Sequence, residues 1–128
     1  MHKKITRESA VVPGPLRPRF RDAARERRVD FDRINRAAVP ALLAILSRWL
    51  PGGRVVGREY VALNPTRADK RLGSFKVVVS GPRAGCWADF ATGDKGGDPV
   101  SLAAYLFDLS QVQAARSIAD MLGVRDDR

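Results

Sequence analysis

The sequence predicts one small α+β domain, an antiparallel sheet of about four strands packed with an N-terminal helix and two C-terminal helices. Three observations predict it. Apolar residues recur at helical spacing as Ile34, Ala38, Leu42, Leu46, Trp49 and Leu50, and again as Val112, Ala115, Ile118 and Leu122. Between these stretches lie short runs rich in β-branched and aromatic residues, bounded by glycine turns. The 128 residues suffice for a single core.

Taken in order, residues 1–29 are expected to form a basic, flexible arm. Pro13, Pro15 and Pro18 interrupt it, and few of its residues can build a core. Arg17, Arg19, Arg21, Arg25, Arg27 and Arg28 make it either a phosphate-tracking arm or a solvated tail. The folded domain is expected over residues 30–123. Asp30 or Asp32 can cap a helix beginning near Arg33. Pro40 then forces a kink or break, because it lacks an N–H and its ring clashes with the preceding turn. A strong helix over 40–50 stops at Pro51-Gly52-Gly53.

Residues 54–56 and 59–63 flank Gly57-Arg58 as a hairpin, and glycine at the first central position suits a type II′ turn. A polar loop, 64–73, leads to a strand over 74–80 with Phe75, Val77 and Val79 on one face. After a turn at 81–85, residues 86–91 should pair antiparallel with that strand. Gly93, Gly96 and Gly97 then give a tight turn into a helix over 99–108. Asp98 is its N-cap and Pro99 fits its first position. That helix is apolar on most sides, which predicts the most buried element of the fold. Ser110 and Gln113 form a capping-box pattern for the last helix, Gly123 ends it, and 124–128 is a polar tail.

Net charge is +9, with +6 over residues 1–39, +6 over 40–85 and −3 over 86–128. Arginine outnumbers lysine, which suits bidentate phosphate contacts. This balance points to a nucleic-acid partner, although charge alone is also met in merely basic proteins. No apolar run approaches the roughly 20 residues of a membrane span, and the N-terminus has no apolar signal-peptide region. The single cysteine, Cys86, is expected to be a buried, inert thiol, and it fits a reducing cytoplasm. Catalysis is not expected. The one histidine is His2, and there is no nucleophile elbow, P-loop or HExxH. Asp89, Asp94 and Asp98 lack calcium-loop spacing, so capping and salt bridging account for them better than a cation. No cofactor is expected.

The order hairpin, polar loop, strand, turn, strand, glycine loop and buried helix resembles the zinc-ribbon domain at the N-terminus of bacterial and phage DNA primases. Where that family carries Cys-Pro-x-His and then a Ser-Phe strand, this chain has Asn64-Pro65-Thr66-Arg67 and Ser74-Phe75. Where the family has an aromatic-His-Cys-x-x-Cys-Gly run and a Lys-Gly-Asp turn, this chain has residues 87–93 and Lys95-Gly96-Gly97-Asp98. The likeness covers roughly residues 33–122 and is strongest over 60–107. It implies a zinc-ribbon-like fold whose four ligand positions are Asn64, Arg67, Asp89 and Thr92, none of them Cys or His. The zinc is therefore expected to be lost, with Arg67 and Asp89 paired at its centre and Asn64 and Thr92 as hydrogen-bond partners. Zinc-less versions stand at the front of some primase–helicase proteins of phages, plasmids and integrated elements. Those proteins carry a catalytic domain after the module, and none is expected here.

Two functions follow as expectations. The first is single-stranded DNA binding in replication of a mobile element. Arg54, Arg58, Lys70, Arg71, Lys76, Arg83 and Lys95 would contact phosphate, and Trp87 or Tyr60 would stack bases unless they belong to the core. The second is a small interaction protein whose partner is a primase, a helicase, another replication protein or a host defence complex.

Overall fold

The computed structural model describes residues 28–128, which form an α+β unit. Apart from Arg28 and Val29, the expected arm lies outside the described residues. A five-stranded antiparallel sheet runs in chain order through β1 (Arg54–Val56), β2 (Glu59–Ala62), β3 (Phe75–Val78), β4 (Trp87–Asp89) and β5 (Lys95–Gly96). Helices α1 (Phe31–Ala38) and α2 (Leu42–Trp49) precede it. Helices α3 (Pro99–Phe107) and α4 (Gln111–Leu122) follow it.

Helix α1 starts earlier than expected, because the Asp30 carboxylate accepts from the Arg33 N–H at 3.0 Å and fixes the N-cap. Pro40 is accommodated in a single 3₁₀ turn, Val39–Ala41, which joins the two helices. In the hairpin, Gly57 takes φ +63° while Arg58 has no positive φ, the sign pattern of a type II′ turn. The expected N-cap Asp98 forms a capping box with Ser101 on α3, and the expected box of Ser110 with Gln113 is present on α4.

Three expectations need correction. The glycine turn contains a fifth strand, in which Gly96 opposes Trp87 and Lys95 opposes Ala88. Only glycine fits at 96, because a Cβ there would overlap the Trp87 indole and the Ser101 hydroxyl. That close approach lets Trp87 Nε1 donate to Ser101 Oγ at 2.9 Å, which ties strand to helix. Next, α3 is not the most buried element. It buries Pro99, Val100, Leu102, Ala103 and Leu106, but leaves Ala104, Tyr105 and Phe107 half-buried, whereas β2 buries Tyr60, Val61 and Ala62. Phe107 lies at the margin of the core, edge-on to Trp49 at 5.5 Å.

Lastly, the domain does not stop at 123, because the polar tail 124–128 is tied back to its start. Asp127 bridges Val29, the Asp30 N–H donates to the Asp126 carbonyl at 2.9 Å, and the Arg128 N–H donates to the Arg28 carbonyl at 2.9 Å. Arg33 donates to the Asp127 carbonyl, and Arg116 on α4 meets Asp126 at 4.0 Å. Pairing of backbone groups and these charges hold the chain end, so the folded unit takes in Val29, which is buried.

The register sorts the sheet into two faces. Tyr60, Val77 and Trp87 oppose one another across β2, β3 and β4, as do Ala62, Phe75 and Asp89. The apolar members join the helices in one core. By strand alternation the next row, Arg54–Val61–Lys76–Ala88–Lys95, falls on the opposite face across all five strands. None of these five residues belongs to the core shared with the helices: Arg54 and Lys95 are exposed, Lys76 and Ala88 half-buried, and Val61 buried.

Candidate functional site

Two turns face each other at one end of the inner face. Asn64 opens the loop after β2, and its side-chain oxygen accepts from the Thr66 N–H at 2.9 Å while its carbonyl accepts from the Arg67 N–H at 3.4 Å. Asp89 opens the turn after β4 in the same way. Its Oδ1 accepts from the Ala91 N–H at 2.9 Å and its carbonyl accepts from the Thr92 N–H at 3.2 Å. Short polar side chains make such turns because they can satisfy the backbone two residues on.

The turns are joined by charge. Asp89 Oδ2 accepts from Arg67 Nε at 2.8 Å and from Asn64 Nδ2 at 2.7 Å, and Oδ1 also accepts from Arg67 Nη2 at 3.3 Å. The carboxylate is wholly buried, yet every lone-pair direction has a donor. The Arg67 guanidinium is the first cause that holds its pKa down, to about 2, ahead of the opposing effect of burial and the help of Asn64 and the Ala91 N–H. Arg67, in turn, is pushed up by the same bond. Arg67 also donates to Ser74 Oγ at 2.9 Å and meets Asp69 at 3.4 Å.

These residues do not fit a zinc ion. They offer no thiolate or imidazole, and a guanidinium stands against the one carboxylate. Among the described residues no cluster of His, Cys, Asp or Glu is placed to hold a metal. Asn64, Arg67 and Asp89 converge as expected, but Thr92 does not join them. It is exposed, and its hydroxyl accepts from the Asp94 N–H at 3.2 Å. The fourth participant is Tyr105 of α3, whose hydroxyl accepts from Asn64 Nδ2 at 2.9 Å and donates to Asp94 at 2.7 Å. Helical spacing alone puts Tyr105 in an apolar helix face. Its ring does pack there, 4.6 Å from Trp87 and 6.3 Å from Phe75, and only its tip reaches the polar cluster.

The basic residues separate into three groups. Arg54, Lys76 and Lys95 share the outer-face row, roughly 10 Å apart at two strand spacings each. Lys70 and Arg71 are exposed in the β2–β3 loop, at one end of the sheet. Arg58 and Arg83 are exposed at the other end, where the Arg58 guanidinium lies over Gly81.

The expected stacking residues are core residues instead. Tyr60 and Trp87 are each 6 % exposed, and Tyr60 donates to the Leu50 carbonyl at 2.8 Å. The open aromatic is Phe90, 70 % exposed, with Lys76 Nζ 5.6 Å from its ring centre. Alternation along residues 87–90 carried this signal, since Trp87 and Asp89 facing inward turn Phe90 outward. Cys86 is half-buried, its thiol directed at the Gly97 carbonyl at 3.6 Å. No helix of the described residues is long and apolar enough to cross a membrane. Neither a protein-family model, nor a curated protein, nor a solved structure matches this chain.

Proposed function

We propose that the chain is a non-catalytic module that binds single-stranded DNA without strong sequence preference, and that it is a zinc-less relative of primase N-terminal domains acting in replication of a mobile element. The observation that carries this reading is the row Arg54, Lys76 and Lys95 on the sheet face turned away from the core that the helices share. Of these three cations only Lys76 has an acidic neighbour among the described residues, Glu59 at 3.8 Å, and the row matches the charge of a phosphate backbone. Lys70 and Arg71 extend the basic surface at one end, and Arg58 and Arg83 extend it at the other. The two facing turns support the relation to primases, because Asn64, Arg67 and Asp89, three of the four ligand positions that the resemblance implies, meet between them.

The test is fluorescence anisotropy of the full chain on a labelled oligo-dT over a sodium chloride series. Affinity should fall steeply with salt. Lys70→Ala with Arg71→Ala should flatten the slope by about 0.7 for each phosphate that is no longer neutralised. Absence of binding even at low salt would overturn the reading. The alternative is then a protein partner, either a replication enzyme or a host defence complex. One observation favours it: edge strand β1 leaves Val55 and Val56 about half exposed, and a partner's strand can extend such an edge.

A further inference from the structure

We infer that Phe90 is the base-stacking residue of this surface, so that the outer face selects single-stranded over duplex DNA; the inference rests on the DNA-binding reading above. Large aromatic side chains are usually buried, and every other tryptophan, tyrosine and phenylalanine among the described residues is buried or half-buried. Phe90 alone stands 70 % open.

Its position is fixed rather than loose. The Phe90 N–H donates to the Ser74 carbonyl at 2.8 Å and so extends the β3–β4 ladder by one residue. On either side its neighbours are held: Asp89 by Arg67 and Asn64, and Ala91 by the Asp89 carboxylate. The ring is thus presented by a clamped turn, which lowers the ordering cost of a contact. Lys76 is placed both in the cationic row and at 5.6 Å from the ring centre. A strand whose phosphates follow Arg54, Lys76 and Lys95 therefore passes beside an open π-face, and unpaired bases of any kind can stack on it. Bases in a duplex are already stacked on one another, so the ring offers them nothing. Charge complementarity names the occupant: an apolar partner would have to bury Lys95 and Arg54 without an acidic partner, and of the three cations only Lys76 has one among the described residues, Glu59 at 3.8 Å.

The test compares oligo-dT with a duplex of equal length, using the full chain. Phe90→Ala should weaken oligo-dT binding roughly 5- to 150-fold, leave duplex binding within about twofold, and leave the salt slope unchanged. Phe90→Trp should keep the affinity, and its surface indole should lose fluorescence on oligo-dT, which the buried Trp49 and Trp87 should not. Equal losses on both DNA forms, or no loss on either, would overturn the assignment while the DNA-binding reading stands. A wild-type chain that binds neither form at low salt would overturn both.

Discussion

On the inner face of the sheet Phe75, Val77 and Asp89 are wholly shielded from solvent, whereas one residue along the same strands Lys76 is a third open and Phe90 is 70 % open. The inner residues answer to packing density and to the rule that a buried polar atom needs a partner. Apart from the buried Val61, the outer residues are largely free of both demands. Inside, residue identity is therefore explained by the fold. Outside, packing leaves Arg54, Lys95 and an uncovered phenyl ring unexplained, and the proposed DNA binding rests on these features.

Substitution can break this contrast, and the largest effect should come from the inner face. Phe75 is fully buried beside Trp87 and Tyr105, so Phe75→Ala should cost about 3–5 kcal/mol, from lost transfer energy and the cavity left behind. Urea unfolding followed by circular dichroism reads this directly. Phe107→Ala should cost less, because Phe107 is only half-buried.

The charged clamp comes next. Asp89→Ala should cost about 3 kcal/mol, since it takes a buried acceptor from Arg67, Asn64 Nδ2 and the Ala91 N–H and leaves Arg67 only Asp69 and Ser74. Arg67 is partly open to water, so Arg67→Ala does little harm on its own side but leaves an unpaired buried carboxylate on the other. The two changes should be non-additive by about 1–2 kcal/mol in a double-mutant cycle, and strict additivity would remove the pair as a unit.

The pH dependence should be smaller. The Asp89 pKa is about 2 in the folded chain, below the roughly 3.9 of an unfolded aspartate, so its contribution is complete above about pH 4 and is lost as pH falls toward 2. The amount is about 2 kcal/mol. Other carboxylates titrate in the same window, so the informative quantity is the difference in stability between wild type and Asp89→Asn from pH 2 to 6. It should shrink as pH falls, and a constant difference would contradict a depressed pKa.

What could be read in advance divides along the same line. The meeting of Arg67 with Asp89 is implied only by the resemblance to the primase zinc ribbon, whereas the hairpin, the β3–β4 pairing and the caps at Asp98 and Ser110 follow from local signals, turn residues and alternation. Strand β5 did not, because its two residues carry no β propensity and pair only once β4 is in place. Nor did the bridge of Val29 to Asp127, which joins residues nearly a whole domain apart in sequence. Tyr105 hid its role because ring and hydroxyl serve different neighbours. Phe90 was legible in principle, but an aromatic residue in an apolar run reads as core until the facing direction of Asp89 is known.

The smallest stability effects belong to the outer row, and they should not be equal. Arg54 and Lys95 are exposed, and exposed substitutions away from special contacts stay within about 0.5 kcal/mol. Lys76 differs. Its ammonium lies 3.8 Å from Glu59 and 5.6 Å from the Phe90 ring. A partly open ion pair contributes about 0–1 kcal/mol, and a cation beside an exposed ring about 0.5–1, with both contacts drawing on one charge. Lys76→Ala should therefore cost up to about 1 kcal/mol, more than Arg54→Ala or Lys95→Ala. In oligo-dT binding the order should change. If the row tracks a phosphate backbone, each of the three changes lowers the salt slope by a similar amount, about 0.7, whatever it does to stability. A set of variants in which weaker binding simply follows weaker folding would mean that the outer face is another structural surface, and that its cations sit in one row without a ligand to meet.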